Sequence, residues 1–259
     1  MLSQIKNLLG DHPWADKMQY FDSIDSTNTY AKKLAVEGAP AGTVILAGHQ
    51  SAGRGRLGRS FSSPENMGIY LSVILRPDCY PAEIMHLTCA AGVAAVSAIG
   101  KPEVGIKWIN DLVIGKRKLG GILAESSINH FTQKTAWVVV GIGINCCQRL
   151  TDFPKDIQHM ACSLGITQQD MPRLAADLIQ QLAIMDSTLL TNRAQIMETF
   201  RSKCITIGSQ ISVVRGDDVR HGTAVWVNDD GGLLVEYRGD TTQIVTSGEV
   251  SIRGMYGYL

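Results

Sequence analysis

Residues 105–145 read GIKWINDLVIGKRKLGGILAESSINHFTQKTAWVVVGIGIN. Four β-type runs stand out, at 105–108, 111–114, 120–125 and 136–144, separated by turn or charged residues. The last is apolar almost without a break, the composition of a strand covered on both faces. Helical signals flank this block. Upstream, Pro81 opens a run to about residue 99 that is apolar almost all round, hence a buried helix. Downstream, Pro172 opens an amphipathic helix with Leu174, Leu178, Leu182 and Met185 on one face, and a second helix is expected over 193–203. Nearer the N-terminus, 20–24, 43–48 and 68–75 read as strands. Asp25-Ser26-Thr27-Asn28 is capping chemistry for a helix that Gly38 closes. The segment QSAGRGRLGRSFSSPEN at 50–66 is too polar and too rich in glycine to be an element.

Beyond residue 205 the texture changes. Short β runs at 210–214, 222–227, 233–237 and 241–246, with turn clusters such as Asn228–Gly232 and Arg238-Gly239-Asp240 between them, predict a small antiparallel barrel. The chain therefore divides into 1–204 and 205–259. The second part carries four Arg against seven Asp and Glu, a net −3, which leaves +3 on the first because the whole chain sums to zero. A balance of zero argues against a protein that binds nucleic acid over its whole surface, and against a polybasic membrane protein. The longest apolar runs, 87–100 and 136–144, fall short of the ~18 residues of a bilayer span, and the N-terminus has no signal-peptide core. Six cysteines without CxxC spacing read as buried thiols in a reducing cytoplasm.

Candidate chemistry gathers in a few segments. Gly53-Arg54-Gly55-Arg56-Leu57-Gly58-Arg59 combines backbone freedom with guanidinium forks suited to carboxylate or phosphate. It lacks the Walker A ending, and a solvated loop or an RNA-binding Arg-Gly patch is the alternative. Lys118 enters a buried β run, which is costly unless something anionic meets it. Lys107 and Asp111 flank Asn110 as either a strand-end salt bridge or a site, with Asp111 able to orient an amine or hold Mg²⁺. Asn145 closes the apolar strand as a loop cap or as a reader of an adenine edge.

Taken in order, DSTN at 25–28, QSAGRGRLGR at 50–59, KWIND at 107–111, RKLGGILAE at 117–125, GIGIN at 141–145 and GEVSIR at 248–253 resemble the biotin–protein ligases, over about residues 20–255. Ile109 stands where that family usually has proline. The resemblance implies an α+β fold: a mixed-sheet catalytic domain of the biotin/lipoate ligase type, followed by an SH3-like barrel. It also implies a two-step reaction. Biotin and ATP give biotinyl-5′-AMP and pyrophosphate, and the biotinyl group then passes to one lysine of a biotin carboxyl carrier protein.

By that resemblance Ser26 and Thr27 donate to the ureido carbonyl, Asn28 or Gln50 accepts from its N–H, and Gly53, Arg54, Gly55 and Arg56 line the biotin pocket. Lys118 with Arg56 and Arg59 neutralises carboxylate and phosphate, Asn145 lies on the adenine side, and Asp111 assists the acceptor amine. Mg²⁺ travels with the triphosphate and needs no protein metal site. No covalent enzyme intermediate is required, so no cysteine is nominated. Only about twenty residues precede the first strand, so the expected form is monofunctional, without the DNA-binding domain of the regulatory members. A homodimer is left open. A lipoate or octanoate ligase is the enzyme rival, though an acyl chain has no ureido group. A non-catalytic biotin sensor is the rival of another class.

Overall fold

The computed structural model describes residues 1–239, 241–246 and, as backbone, 250–254; Asp240, Gly248 and Glu249 lie outside the described residues. Seven strands form one sheet: β1 (Met18–Phe21), β2 (Thr43–Ala47), β3 (Gly68–Leu75), β4 (Val104–Lys107), β5 (Asp111–Ile114), β6 (Arg117–Ile128) and β7 (Thr135–Asn145). Their order is β1-β2-β3-β7-β6-β5-β4. Only β1 and β2 run parallel and the other pairs are antiparallel, so the sheet is mixed.

The period of two decides what covers each face. Val44, Leu46, Val73, Leu75, Val138 and Val140 point into the main core, while Ile45, Ile74 and Val139 point the other way. On that second face Ala31 and Ala35 of α2 (Thr27–Val36) cover them. The main core is closed by α1 (Leu2–Leu9), α3 (Ile84–Ile99), α4 (Met171–Thr188) and α5 (Arg193–Lys203). Both faces of the 136–144 run are therefore covered, as its unbroken apolarity predicts.

The segment Pro81–Ile99 has the length and hydropathy to cross a bilayer, but Leu87, Cys89, Ala90, Ala91, Ala94 and Ala95 are buried, which makes it the central core helix. Helix α1 is not foreseen in the sequence reading. It is eight residues long, and Ile5 and Leu9, four apart on one face, anchor it in the core. Strand β6 is also longer than its apolar part, because Arg117 and Lys118 continue the ladder with Ile114 and Val113.

The C-terminal part is an antiparallel sheet of β8 (Gln210–Arg215), β9 (Asp218–Val227), β10 (Leu233–Tyr237), β11 (Thr241–Val245) and β12 (Val250–Gly254), ordered β11-β10-β9-β8-β12 and consistent with a small SH3-like domain. Ile211, Ala224, Val227, Leu233 and Val235 join the same core cluster as the first sheet. The connection is hydrogen-bonded as well. Ile205 N donates to Ile106 O at 2.9 Å, Trp108 N to Thr206 Oγ1 at 2.9 Å, and Trp108 Nε1 to Gly231 O at 2.8 Å. Gly231 has φ +87° and lies where a Cβ would press on Cys89 Sγ and the Met85 backbone. Only glycine suits that approach.

Candidate functional site

A cavity of about 380 Å³ opens where the start of α2, the 50–64 loop and the strands β5, β6 and β7 meet. One end is neutral and polar. Ser26 caps α2, its Oγ accepting from Thr29 N at 3.4 Å, so Thr27 and Asn28 are fixed in the first turn and buried. Thr27 N and Oγ1 both donate to Gln50 Oε1, at 2.8 and 3.1 Å. Ser72, the polar interruption in β3, donates at 2.6 Å to Asn28 Oδ1 and lies 2.8 Å from Thr27 Oγ1. Asn28 Nδ2 donates to Glu125 Oε2 at 3.0 Å and to Leu123 O at 3.3 Å. The glycines of β7 make room for this floor. A Cβ at Gly141 would strike the Asn28 amide, and one at Gly143 the Phe61 ring.

The Arg-Gly segment forms a tight hairpin over the cavity. Gly55 N donates to Arg59 O at 2.7 Å and Phe61 N to Gly53 O at 2.8 Å, with Leu57 at the tip at φ +56°. Gly53 does not line the cavity, yet a Cβ there would run into Phe61 O and Ser63 Oγ. Arg56 reaches inward, its Nη1 donating to Asn110 Oδ1 at 3.1 Å. Burial pulls the Arg56 guanidinium below its ordinary value, with the Asp111 carboxylate acting against the shift.

The opposite end of the cavity is charged. Lys118 Nζ stands 2.6 Å from Asp111 Oδ1, and both residues line the cavity beside Gly121. Lys107 faces Asp111 across the β4–β5 ladder and is 6% exposed. The described residues lining the cavity include five cations, Arg54, Arg56, Arg59, Lys107 and Lys118, and one carboxylate, Asp111. In a chain of formal net charge zero, that concentration marks an anion site. One carboxylate does not make a protein Mg²⁺ site, and no cluster of three or more His, Cys, Asp or Glu occurs among the described residues.

Of the residues singled out in the sequence, Ser26, Thr27, Asn28, Gln50, Arg54, Gly55, Arg56, Arg59, Asp111 and Lys118 line this one cavity. Asn145 does not join them. It is buried behind the cavity, with Nδ2 donating to Cys162 O at 3.0 Å and Oδ1 accepting from Gln148 Nε2 at 3.2 Å. Both ends of its amide are engaged within the protein. Met160, from the segment that lies against β6, lines the cavity and carried no sequence signal. Ser72 and Glu125 also belong to the site, and their marks in the sequence are a serine within an apolar strand and an acid ending RKLGGILAE. All six cysteines are free, and burial pushes the Cys146 thiol up to about 12, away from nucleophilic use.

Residues 20–145 match the biotin/lipoate A/B protein ligase family and residues 206–253 the biotin protein ligase C terminal domain. The biotin–[acetyl-CoA-carboxylase] ligase of Mycobacterium tuberculosis is 33% identical over 238 residues, covering 87% of this chain and 85% of that protein. The bifunctional ligase/repressor BirA of Bacillus subtilis is 31% identical over 248 residues, 90% of this chain and 74% of that protein. In fold, the chain is similar to the Aquifex aeolicus biotin protein ligase in complex with biotin and ATP, with a TM-score of 0.76 at 24% identity over 92% of this chain and 98% of that one. The chain belongs to the biotin protein ligase family.

Proposed function

We propose that this protein activates biotin with ATP as biotinyl-5′-AMP and transfers it to a lysine of a biotin carboxyl carrier protein. One observation carries the reading. The cavity has an uncharged hydrogen-bonding floor at one end and five cations against one carboxylate at the other. That is complementary to a ligand with a neutral ureido ring and an anionic head, next to phosphate. A lipoyl or octanoyl chain has no ureido group with which to exchange hydrogen bonds with the Ser26 and Thr27 hydroxyls on this floor. The hydroxyls of Ser26 and Thr27 address the ring, and Gln50 and Asn28 hold the floor in shape through their bonds to Thr27, Ser63 and Ser72.

In the first step a biotin carboxylate oxygen bonds to the α-phosphorus and the bond to pyrophosphate breaks. Lys118, Arg56 and Arg59 screen the two anions as they approach and the charge that develops between them. Mg²⁺ comes with the triphosphate as part of the substrate. In the second step the neutral acceptor amine attacks the acyl carbon, AMP departs and Asp111 takes the amine proton. Residues 1–204 supply these groups, and 205–259 form the C-terminal domain. The six free thiols suit a reducing cytoplasm, and zero net charge gives the chain little attraction for duplex DNA.

The test is labelling of a carrier domain, with biotin, lipoate and octanoate compared in the presence of ATP. Only biotin should be transferred, with pyrophosphate released in step. Transfer of lipoate or octanoate, or no transfer from biotin, overturns the reading.

A further inference from the structure

Glu125 touches the site without lining it. It projects from β6, and three groups converge on its carboxylate. Lys32 Nζ of α2 stands 2.6 Å from Oε1, Arg54 Nη2 of the loop stands 3.6 Å from the same oxygen, and Asn28 Nδ2 donates to Oε2 at 3.0 Å. Burial alone would raise this carboxyl. The hydrogen bonds from Lys32 and Asn28, with the charges of Lys32 and Arg54, more than offset burial and hold it below its ordinary value.

The bond to Asn28 has consequences along a chain of polar groups. With Nδ2 turned to Glu125, Asn28 must turn Oδ1 towards Ser72, whose single hydroxyl proton it receives at 2.6 Å. Ser72 Oγ lies 2.8 Å from Thr27 Oγ1, and Thr27 N holds Gln50 Oε1. Gln50 Nε2 donates to Ser63 Oγ at 2.9 Å, and Ser63 Oγ donates to Phe61 O at 3.2 Å. That carboxylate thus holds the outgoing arm of the Arg-Gly hairpin directly at Arg54 and, through the Asn28 amide, sets the direction of the Ser72 hydroxyl in the cavity floor.

We infer that Glu125 is a positioning residue that latches the 53–61 hairpin over bound biotin, by gripping Arg54 and by fixing which way the Asn28 amide points. The inference rests on the biotin-ligase reading above. A half-exposed ion pair contributes little by itself. The effect therefore falls on how long biotin stays, and it is sensitive to salt, whereas the chemical step is carried by other residues.

Biotin release from the full-length protein would be followed by a chase with excess unlabelled biotin, for wild type, Glu125→Gln, Arg54→Met and the double variant. Each single change should speed release about three- to tenfold, and the double variant should be no faster than the faster single one, because one coupling is lost in all three. Wild-type release should quicken with added salt, and release from Glu125→Gln should depend on salt less steeply. Adenylate formation by Glu125→Gln in a single turnover at saturating biotin should stay within about twofold of wild type. If Glu125→Gln does not fold, Arg54→Met, on the half-exposed loop, must alone give fast release with a weaker salt dependence than wild type. Additive effects in the double variant, or wild-type release from Arg54→Met, overturn the latch. A wild-type protein that binds no biotin would instead overturn the ligase reading, so the two failures remain distinct.

Discussion

Lys118 sits 2.6 Å from Asp111 at the cationic end of the cavity, so its charge is held in place before any anion arrives. Electrostatic help of this kind counts most where carboxylate and phosphate are forced together, which is in the transition state and not in the biotin complex. Lys118→Ala should therefore abolish pyrophosphate release at saturating biotin while biotin affinity falls far less. A variant within threefold of wild type would remove Lys118 from the chemistry. Arg56 has a different role, reaching inward from a hairpin and hydrogen-bonding Asn110. Replacing it by glycine removes charge-assisted hydrogen bonds worth roughly 1.5–3 kcal/mol each, or about one to two powers of ten in adenylate retention. Because Lys118 remains, the adenylate still forms, but it escapes before the carrier arrives and acylates exposed lysines at large. Arg56→Gly should label added albumin on a streptavidin blot, and a variant that still labels only the carrier at wild-type rate would exclude the clamp.

Strand β7 shows how far an element can be read from its letters. The apolar run AWVVVGIGI announces a strand covered on both faces, and Ala31 and Ala35 of α2 on one side with the main core on the other cover it. What the letters do not say is why two of its residues are glycine. Gly141 is open to the Asn28 amide and Gly143 to the Phe61 ring, so each marks a contact with a distant segment that only the fold brings together. The same limit explains Asn145. Its polarity at a strand end is legible, but the partners that occupy its amide, Cys162 and Gln148, come from a segment without pattern. Glu125 likewise reads as the end of a strand until Lys32, Arg54 and Asn28 are folded against it. Gly141→Ala tests the element. The added methyl must displace the Asn28 amide, and overpacking a buried site typically costs about 1–3 kcal/mol. Denaturant unfolding should report that loss, and calorimetric titration should show biotin affinity reduced at least tenfold. Unchanged affinity would mean that Asn28 is not needed to shape the floor.

At the scale of the molecule, two sheets share one hydrophobic cluster that runs from Ile5 to Val245. The change of texture near residue 205 correctly separates two patterns of strands, but composition carries no information about whether they unfold together. The junction decides that. Trp108 is 4% exposed, lies between β4 and β5, and crosses to the second sheet twice, through its backbone to Thr206 and through its indole to Gly231. Arg193 of α5 adds a third tie, 2.6 Å from both Glu83 and Asp230. With the buried apolar contact continuous across these bonds, separating the sheets would expose core on both sides, and neither sheet has an independent reason to melt first. Calorimetry should therefore give one transition. Trp108→Phe keeps most of the aromatic volume but removes the indole N–H, leaving the Gly231 carbonyl without its donor, a loss of about 1–3 kcal/mol. For a chain of this size that corresponds to a Tm lower by roughly 2–12 °C, with the single transition preserved. A second, lower transition in the wild type, or one that splits off in Trp108→Phe, would show that the C-terminal sheet is held to the catalytic part more loosely than one continuous core requires.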